Sequence, residues 1–260
     1  TQVGSSAASD VYKRQVTFAN TLGGAQSLGI TAGTGAIDFD NTVGAGTALG
    51  AVTLTSAGNV TADNTFTAAS LTQSAGTGTT TFDGALTATT GNVLITTNAI
   101  VLNALVDTVT AGAGGTVTLN ADTGALTIAS TGDIDAAGLV DLTAATGIST
   151  AGNITTTGDN IDFNSAVSLT SAVDLITADG NVAFDSTIDG AQNLDISAGA
   201  GTITFTGVVG GTTDLAAVTI DDASTVTVSS GFDAASFTQT TGTGLTTLNG
   251  ALTTAGNVAI

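Results

Sequence analysis

The chain has no cysteine, proline, methionine, tryptophan, histidine or glutamate, so its 21 acidic residues are all aspartate, and its basic residues number only 2. The missing cysteine rules out a disulfide scaffold without assigning a compartment. The missing histidine, with Lys13 and Arg14 confined to one end, leaves aspartate alone for acid–base chemistry. Glu, Lys, Arg, Gln and Met are scarce or absent, which removes most of the good helix formers and argues against long helices. An aromatic content of 4% is too low for the girdles of an outer-membrane barrel, and the apolar runs are too short for its strands. No membrane insertion is therefore expected. A net charge of -19 speaks against nucleic acid and anionic membrane surfaces as partners.

What is present is Gly, Thr, Ala, Ser, Val, Leu, Ile, Asn and Asp. Thr, Val and Ile favour strands, and Gly, Asn and Asp favour the turns between them. The 42% apolar content is periodic and too high for plain disorder. The segment Val16–Thr87 recurs in register as Val182–Thr253, 166 residues later, with about half of its positions identical. Inside it lies a shorter period. Triplets with two large apolar residues flanking one other (Val16-Thr17-Phe18, Ile37-Asp38-Phe39, Ile100-Val101-Leu102, Val140-Asp141-Leu142, Ile161-Asp162-Phe163, Val182-Ala183-Phe184, Ile203-Thr204-Phe205, Val226-Thr227-Val228) recur at steps of about 21, with Thr80 and Thr246 opening degenerate members. One member is missing near Val60, and the stretch from Leu102 to Leu142 is disturbed. Eight such steps would account for the long repeat.

A unit of that size cannot bury its own apolar face and must stack on its neighbours. The spacing predicts a right-handed parallel β-helix, all-β, with coils of about 21 residues, short strands and Gly-rich corners such as Ala32-Gly33-Thr34-Gly35. About twelve coils fit, giving a rod of roughly 55–60 Å. Phe18 and Phe39 are expected in one inward column, with Phe163, Phe184 and Phe205 further along it. Corner asparagines in Gly58-Asn59-Val60, Gly91-Asn92-Val93, Gly152-Asn153-Ile154 and Gly180-Asn181-Val182 are expected to form amide ladders between coils.

Catalytic signals are thin. Asp38 with Asp40, Asp133 with Asp135, and Asp221 with Asp222 are the closest carboxylate groupings. They read as solvated turns and a soluble outer face, in preference to a carboxylate pair or a calcium site. The Gly-Gly-x-Gly-x-Asp calcium repeat is not present as a repeated motif. Thr-x-Thr pairs (Thr53 with Thr55, Thr202 with Thr204) raise an ice-binding face, but the triplet centres mix Thr, Asp, Val and Ala as an ordinary outer face does. No catalytic, cofactor-binding or metal residue is assigned, no cofactor is expected, and the chain is expected not to be an enzyme.

Thr1 to Gln15 stands apart. Its run Asp10-Val11-Tyr12-Lys13-Arg14-Gln15 resembles the translation of a transposon-end sequence used in sequencing libraries, so 1–15 is expected to be a non-native tail. From residue 16 to 260 no compositional break appears, and a single β-solenoid domain, an internal fragment of a larger repeat protein, is expected.

The phrases AGTGTTTFDGALTATTGNVLI and AGAGTITFTGVVGGTTDLAAVTI resemble the repeats of giant bacterial surface proteins, the filamentous-haemagglutinin-like and autotransporter-like adhesins. The resemblance implies secretion, a β-helix stalk, and a role in adhesion or the cell envelope. It carries over no catalytic residue. The function expected is a structural stalk or adhesin segment presenting other domains. The alternatives are a carbohydrate-active β-helix enzyme or an ice- or calcium-binding solenoid. Expected partners are host or matrix surfaces, met through parts of a parent chain outside this sequence, and other copies of the chain end to end.

Overall fold

The computed structural model describes residues 15–109 and 115–260, which contain thirty β-strands, β1 (Val16–Phe18) to β30 (Val258–Ala259), and no α-helix. The tail expected at 1–15 lies, apart from Gln15, outside the described residues. Every strand pairing is parallel and links one coil to the next, so the chain is a β-solenoid.

Three faces run the length of the stack. On face 1, Val16 pairs with Ile37, and the column continues through Val60, Thr80, Ile100, Leu126, Ile148, Val167 and Ile188. Single bridges carry it to Val209 and Phe232, and Phe232 pairs with Leu252. That makes eleven turns from Val16 to Leu252, and at about 4.8 Å per turn a rod of roughly 53 Å. Face 2 begins Leu22, Val43, Phe66, Leu86, Val106, Ile134 and Ile154. Face 3 runs Leu28, Val52, Leu71, Val93, Val117, Val140, Ile161, Val182, Ile203, Val226 and Thr246.

This arrangement corrects the single triplet series. The early triplets at Val16, Ile37, Thr80 and Ile100 lie on face 1, whereas those from Val140 to Thr246 lie on face 3. The member missing near Val60 is the strand Val60–Ala62, in register with both neighbours. The disturbed stretch is one long turn, from Ile100 to its partner Leu126. The 166-residue repeat is therefore seven and two-thirds turns rather than eight. Val16 and its copy Val182 occupy different faces, and so does every later pair of equivalents.

The reason is that one face, strand plus corner, takes about seven residues, and each face carries the same inward pattern. Three-residue strands bury their outer two positions and half-expose the middle one, as in Ile37-Asp38-Phe39 and Ile161-Asp162-Phe163. The core is one continuous apolar column from Ile30 to Phe237. Two aromatic spines thicken it. Phe18 stacks on Phe39 at 5.0 Å between ring centres, and Phe66 meets Phe39 and Phe82 edge-on. In the second repeat Phe184 stacks between Phe163 at 4.7 Å and Phe205 at 5.4 Å, and Phe232 meets Phe205 and Phe237 edge-on. The second spine lies on a different face from the first, so Phe163, Phe184 and Phe205 do not extend the Phe18–Phe39 column.

The corners need glycine where backbones touch. Gly44 and its equivalent Gly210 have φ of 80° and 72°, and a β-carbon there would fall 2.1 Å from the Thr67 carbonyl and 2.0 Å from the Asp233 carbonyl. No other residue type fits that conformation and approach.

Candidate functional site

The polar groups that the fold organises lie at the corners and along the outward rows. The corner asparagines do not form amide–amide ladders. Each instead accepts, through its side-chain oxygen, a backbone N–H of the coil above. Asn59 takes the N–H of Thr79 (3.0 Å), Asn92 that of Thr116 (3.1 Å), Asn160 that of Asn181 (2.9 Å), and Asn181 both the N–H and the hydroxyl of Thr202 (2.8 and 2.9 Å). Asp133 plays the same part toward the N–H of Asn153 (2.7 Å), and Asn153 toward that of Asp174 (2.9 Å). The result is a staircase in which side chains satisfy corner N–H groups that no strand can pair.

The three carboxylate groupings do not form a catalytic pair. Asp38 sits at the middle of its strand and accepts from the Gln15 side chain, while Asp40 is exposed past the strand end. Asp133 is engaged in the corner staircase while Asp135 sits on the outward row. Asp221 is exposed. Asp222 is turned onto its own corner, accepting from the Ser197 hydroxyl (2.7 Å) and the Gly199 N–H (3.0 Å).

Stacking does bring other aspartates together. Asp107 lies in register with Asp135 on face 2, Asp141 with Asp162 on face 3, and Asp174 with Asp195 on face 2. Like charges directly opposite on adjacent strands repel. Burial chiefly, and then the charges of Asp107 and Asp133, push the Asp135 carboxyl above the usual carboxylate range. Burial and then Asp141 and Asp185 do the same to Asp162. Asp222 goes the other way, lowered first by the Ser197 hydroxyl and then by the Gly199 N–H. Among the described residues no three acidic side chains converge as a metal would need.

Spacing alone did not reveal one buried polar pair. Gln73 and Thr80 are fully buried, and the Thr80 hydroxyl donates to the Gln73 side-chain oxygen at 2.8 Å, leaving the Gln73 nitrogen without a partner. The second repeat rebuilds the pair as Gln239 and Thr246, at 2.6 Å and half-buried. The signal in the sequence was a glutamine kept in both repeats seven residues before a threonine that stands where other strands carry Val or Ile.

A shallow depression over a corner is lined by Thr34, Ala36, Gly58, Asn59, Thr77 and Gly78. It holds no acid or base. No helix is long and apolar enough to cross a membrane. Comparison with protein-family models, with curated proteins and with solved structures found no match.

Proposed function

We propose that this chain is a spacer, the stalk of a secreted bacterial cell-surface protein, holding adhesive or other domains of a parent chain away from their base. The observation that carries the reading is the unbroken core. Eleven turns share one apolar column, while the outward rows change from turn to turn. The row on face 3 reads Gly29, Thr53, Thr72, Leu94, Thr118, Asp141, Asp162 and Ala183. A surface that varies in this way supports length and solubility better than it supports one repeated recognition face. A net charge of -19 keeps rods apart at low ionic strength, and the resemblance of the repeats to adhesin stalks points the same way.

The test is a ruler experiment. Spin labels on Thr17→Cys and Thr253→Cys, both on face 1, are expected to give one narrow distance near 53 Å, for eleven turns at about 4.8 Å. Deleting Thr61 to Thr80 removes one whole turn and joins Val60 to Thr81-Phe82, recreating the strand Val-Thr-Phe in register over Ile37–Phe39. The distance should then shorten by about 4.8 Å with the fold intact. A broad distribution would sink the spacer reading, as would saturable binding or cleavage of a polysaccharide by the intact chain, which would put a carbohydrate-active solenoid in its place.

A further inference from the structure

Several asparagines that follow strands are held by the coil below. The Asn41 amide donates to the Ala19 carbonyl (2.9 Å), Asn64 to the Asp40 carbonyl (3.0 Å) and Asn103 to the Asp83 carboxylate (2.6 Å). Asn164 donates to the Thr143 hydroxyl (3.1 Å) and to the Asp141 carboxylate. A side chain held in this way cannot swing its carbonyl carbon onto the next backbone nitrogen. Asn249 also follows a strand, Thr246–Leu248, and its backbone N–H is fixed to the Val228 carbonyl at 2.8 Å. Its side chain is exposed and has no hydrogen-bond partner among the described residues.

Asn249 is also the chain's one asparagine followed by glycine. Packing requires that glycine, because a β-carbon on Gly250 would fall 1.8 Å from the Ser230 carbonyl oxygen. The equivalent Gly84 is under the same constraint, a β-carbon there falling 2.2 Å from the Asn64 carbonyl carbon. Both repeats thus need Gly at this corner, but the residue before it is Asp83 in the first and Asn249 in the second. The constraint that builds the corner also places a backbone nitrogen whose residue has no side chain next to a free carboxamide.

We propose that Asn249–Gly250 is a self-modifying site. The Gly250 backbone nitrogen gives up its proton to solvent base and attacks Cγ of Asn249. The new N–Cγ bond closes a five-membered imide, the Cγ–Nδ2 bond breaks, and the side-chain nitrogen leaves as ammonia after taking a proton from water. Water then adds across one or the other C–N bond of the ring, giving aspartate or its isoaspartyl isomer. No electron transfer and no other reactant is needed. The aspartyl product is the residue that the first repeat carries at the same corner, where the Asp83 carboxylate accepts from Asn103 in the coil above. The modification therefore replaces an amide donor with a negative charge and a second acceptor oxygen at that corner.

The experiment incubates the intact chain in mildly alkaline buffer and follows each asparagine by peptide mass mapping, with isoaspartyl residues counted by enzymatic methylation. The Asn249 peptide should lose its amide progressively, and faster as pH is raised, while the Asn164–Ser165 and Asn103 peptides keep theirs. In Asn249→Ser both the ammonia release and the methylation at that peptide should vanish, with the circular dichroism spectrum unchanged. If the folded chain keeps the Asn249 amide as long as that of Asn164, the proposal is overturned. It also falls if Asn249 converts only once urea has unfolded the chain, for then the corner protects the amide.

Discussion

The two long repeats are near-copies in sequence that occupy different faces of the same rod. Strand Val16–Phe18 builds face 1, and its equivalent Val182–Phe184 builds face 3. The eight-residue strand Phe66–Gln73 bends from face 2 to face 3, pairing with Leu86 at one end and Val93 at the other. Its equivalent Phe232–Gln239 bends from face 1 to face 2, pairing with Leu252 and Val258. Each strand pairing of the first repeat is thus rebuilt one face round. The tolerated unit is then the third of a turn, about seven residues of strand and corner, and the full coil is three such units in series. A solenoid sums nearest-neighbour interactions, so a repeat that lands on another face loses nothing provided its neighbours offer the same inward pattern.

The comparison can be broken most strongly in the aromatic spines. Phe184 lies between two stacked rings and is 1% exposed, while Phe18 has one stacked partner and is half-buried. Phe184→Ala should cost about 3–5 kcal/mol in urea melts through lost transfer energy and a cavity that cannot collapse. Phe18→Ala should cost about 1–2 kcal/mol, since solvent can fill the gap. Equal losses would mean that the two spines are packed alike despite their neighbours.

Smaller by roughly half is the effect at the buried glutamine. Thr80→Val removes the one partner of the Gln73 oxygen in a site closed to water, and should cost about 1–3 kcal/mol. Thr246→Val makes the same change where Gln239 is half-exposed, and should cost under about 0.5 kcal/mol because water replaces the hydroxyl. Thermal melts of the two single variants measure the difference, and a cost at Thr246 as large as that at Thr80 would show that the second site is also dry.

The period, the parallel stacking and the inward triplets were legible because burial on a strand alternates strictly, and because Gly, Asn and Asp mark the corners. Phe39, Phe163, Phe184 and Phe205 could be read as core from that alternation alone. The face of each strand could not be read. Val16-Thr17-Phe18 and Val182-Ala183-Phe184 carry the same inward side chains, and nothing local distinguishes face 1 from face 3. The long turn between Ile100 and Leu126 hid the phase change, and the number of turns comes out at eleven instead of about twelve. The corner asparagines were found by their Gly-Asn-Val setting. Their partners were not, because an amide can pair with an amide above it or with the backbone there, and only the height of the corner decides. Gln73 went unread because a buried glutamine looks like any surface polar residue until its neighbours are known.

The finest contrast between the repeats is one of charge at an otherwise equivalent corner. In the first repeat the Ser56 hydroxyl accepts the N–H of Gly33 at 3.2 Å. In the second, Asp222 accepts the N–H of the equivalent Gly199 at 3.0 Å and the Ser197 hydroxyl as well. The corner geometry is the same, but only the second bond depends on ionisation. Hydrogen bonds to its charged form hold the Asp222 carboxyl below its ordinary value. A carboxylate lowered on folding stabilises the fold above the unfolded pKa, and that stabilisation is lost as pH falls through the folded value. Asp135 and Asp162, raised by burial and by neighbouring aspartates, act in the opposite sense. They favour the fold when protonated, and that benefit is lost as pH rises through their folded values. Asp222→Ser should therefore lower the melting temperature slightly at neutral pH, by the equivalent of about 0.5 kcal/mol or less for so exposed a group. It should also flatten the acid limb of the stability profile. The reciprocal Ser56→Asp should steepen that limb by giving the first repeat the acid-sensitive corner of the second. A Ser56→Asp profile that matches the parent throughout would mean that the two corners, alike in backbone, do not hold a carboxylate alike.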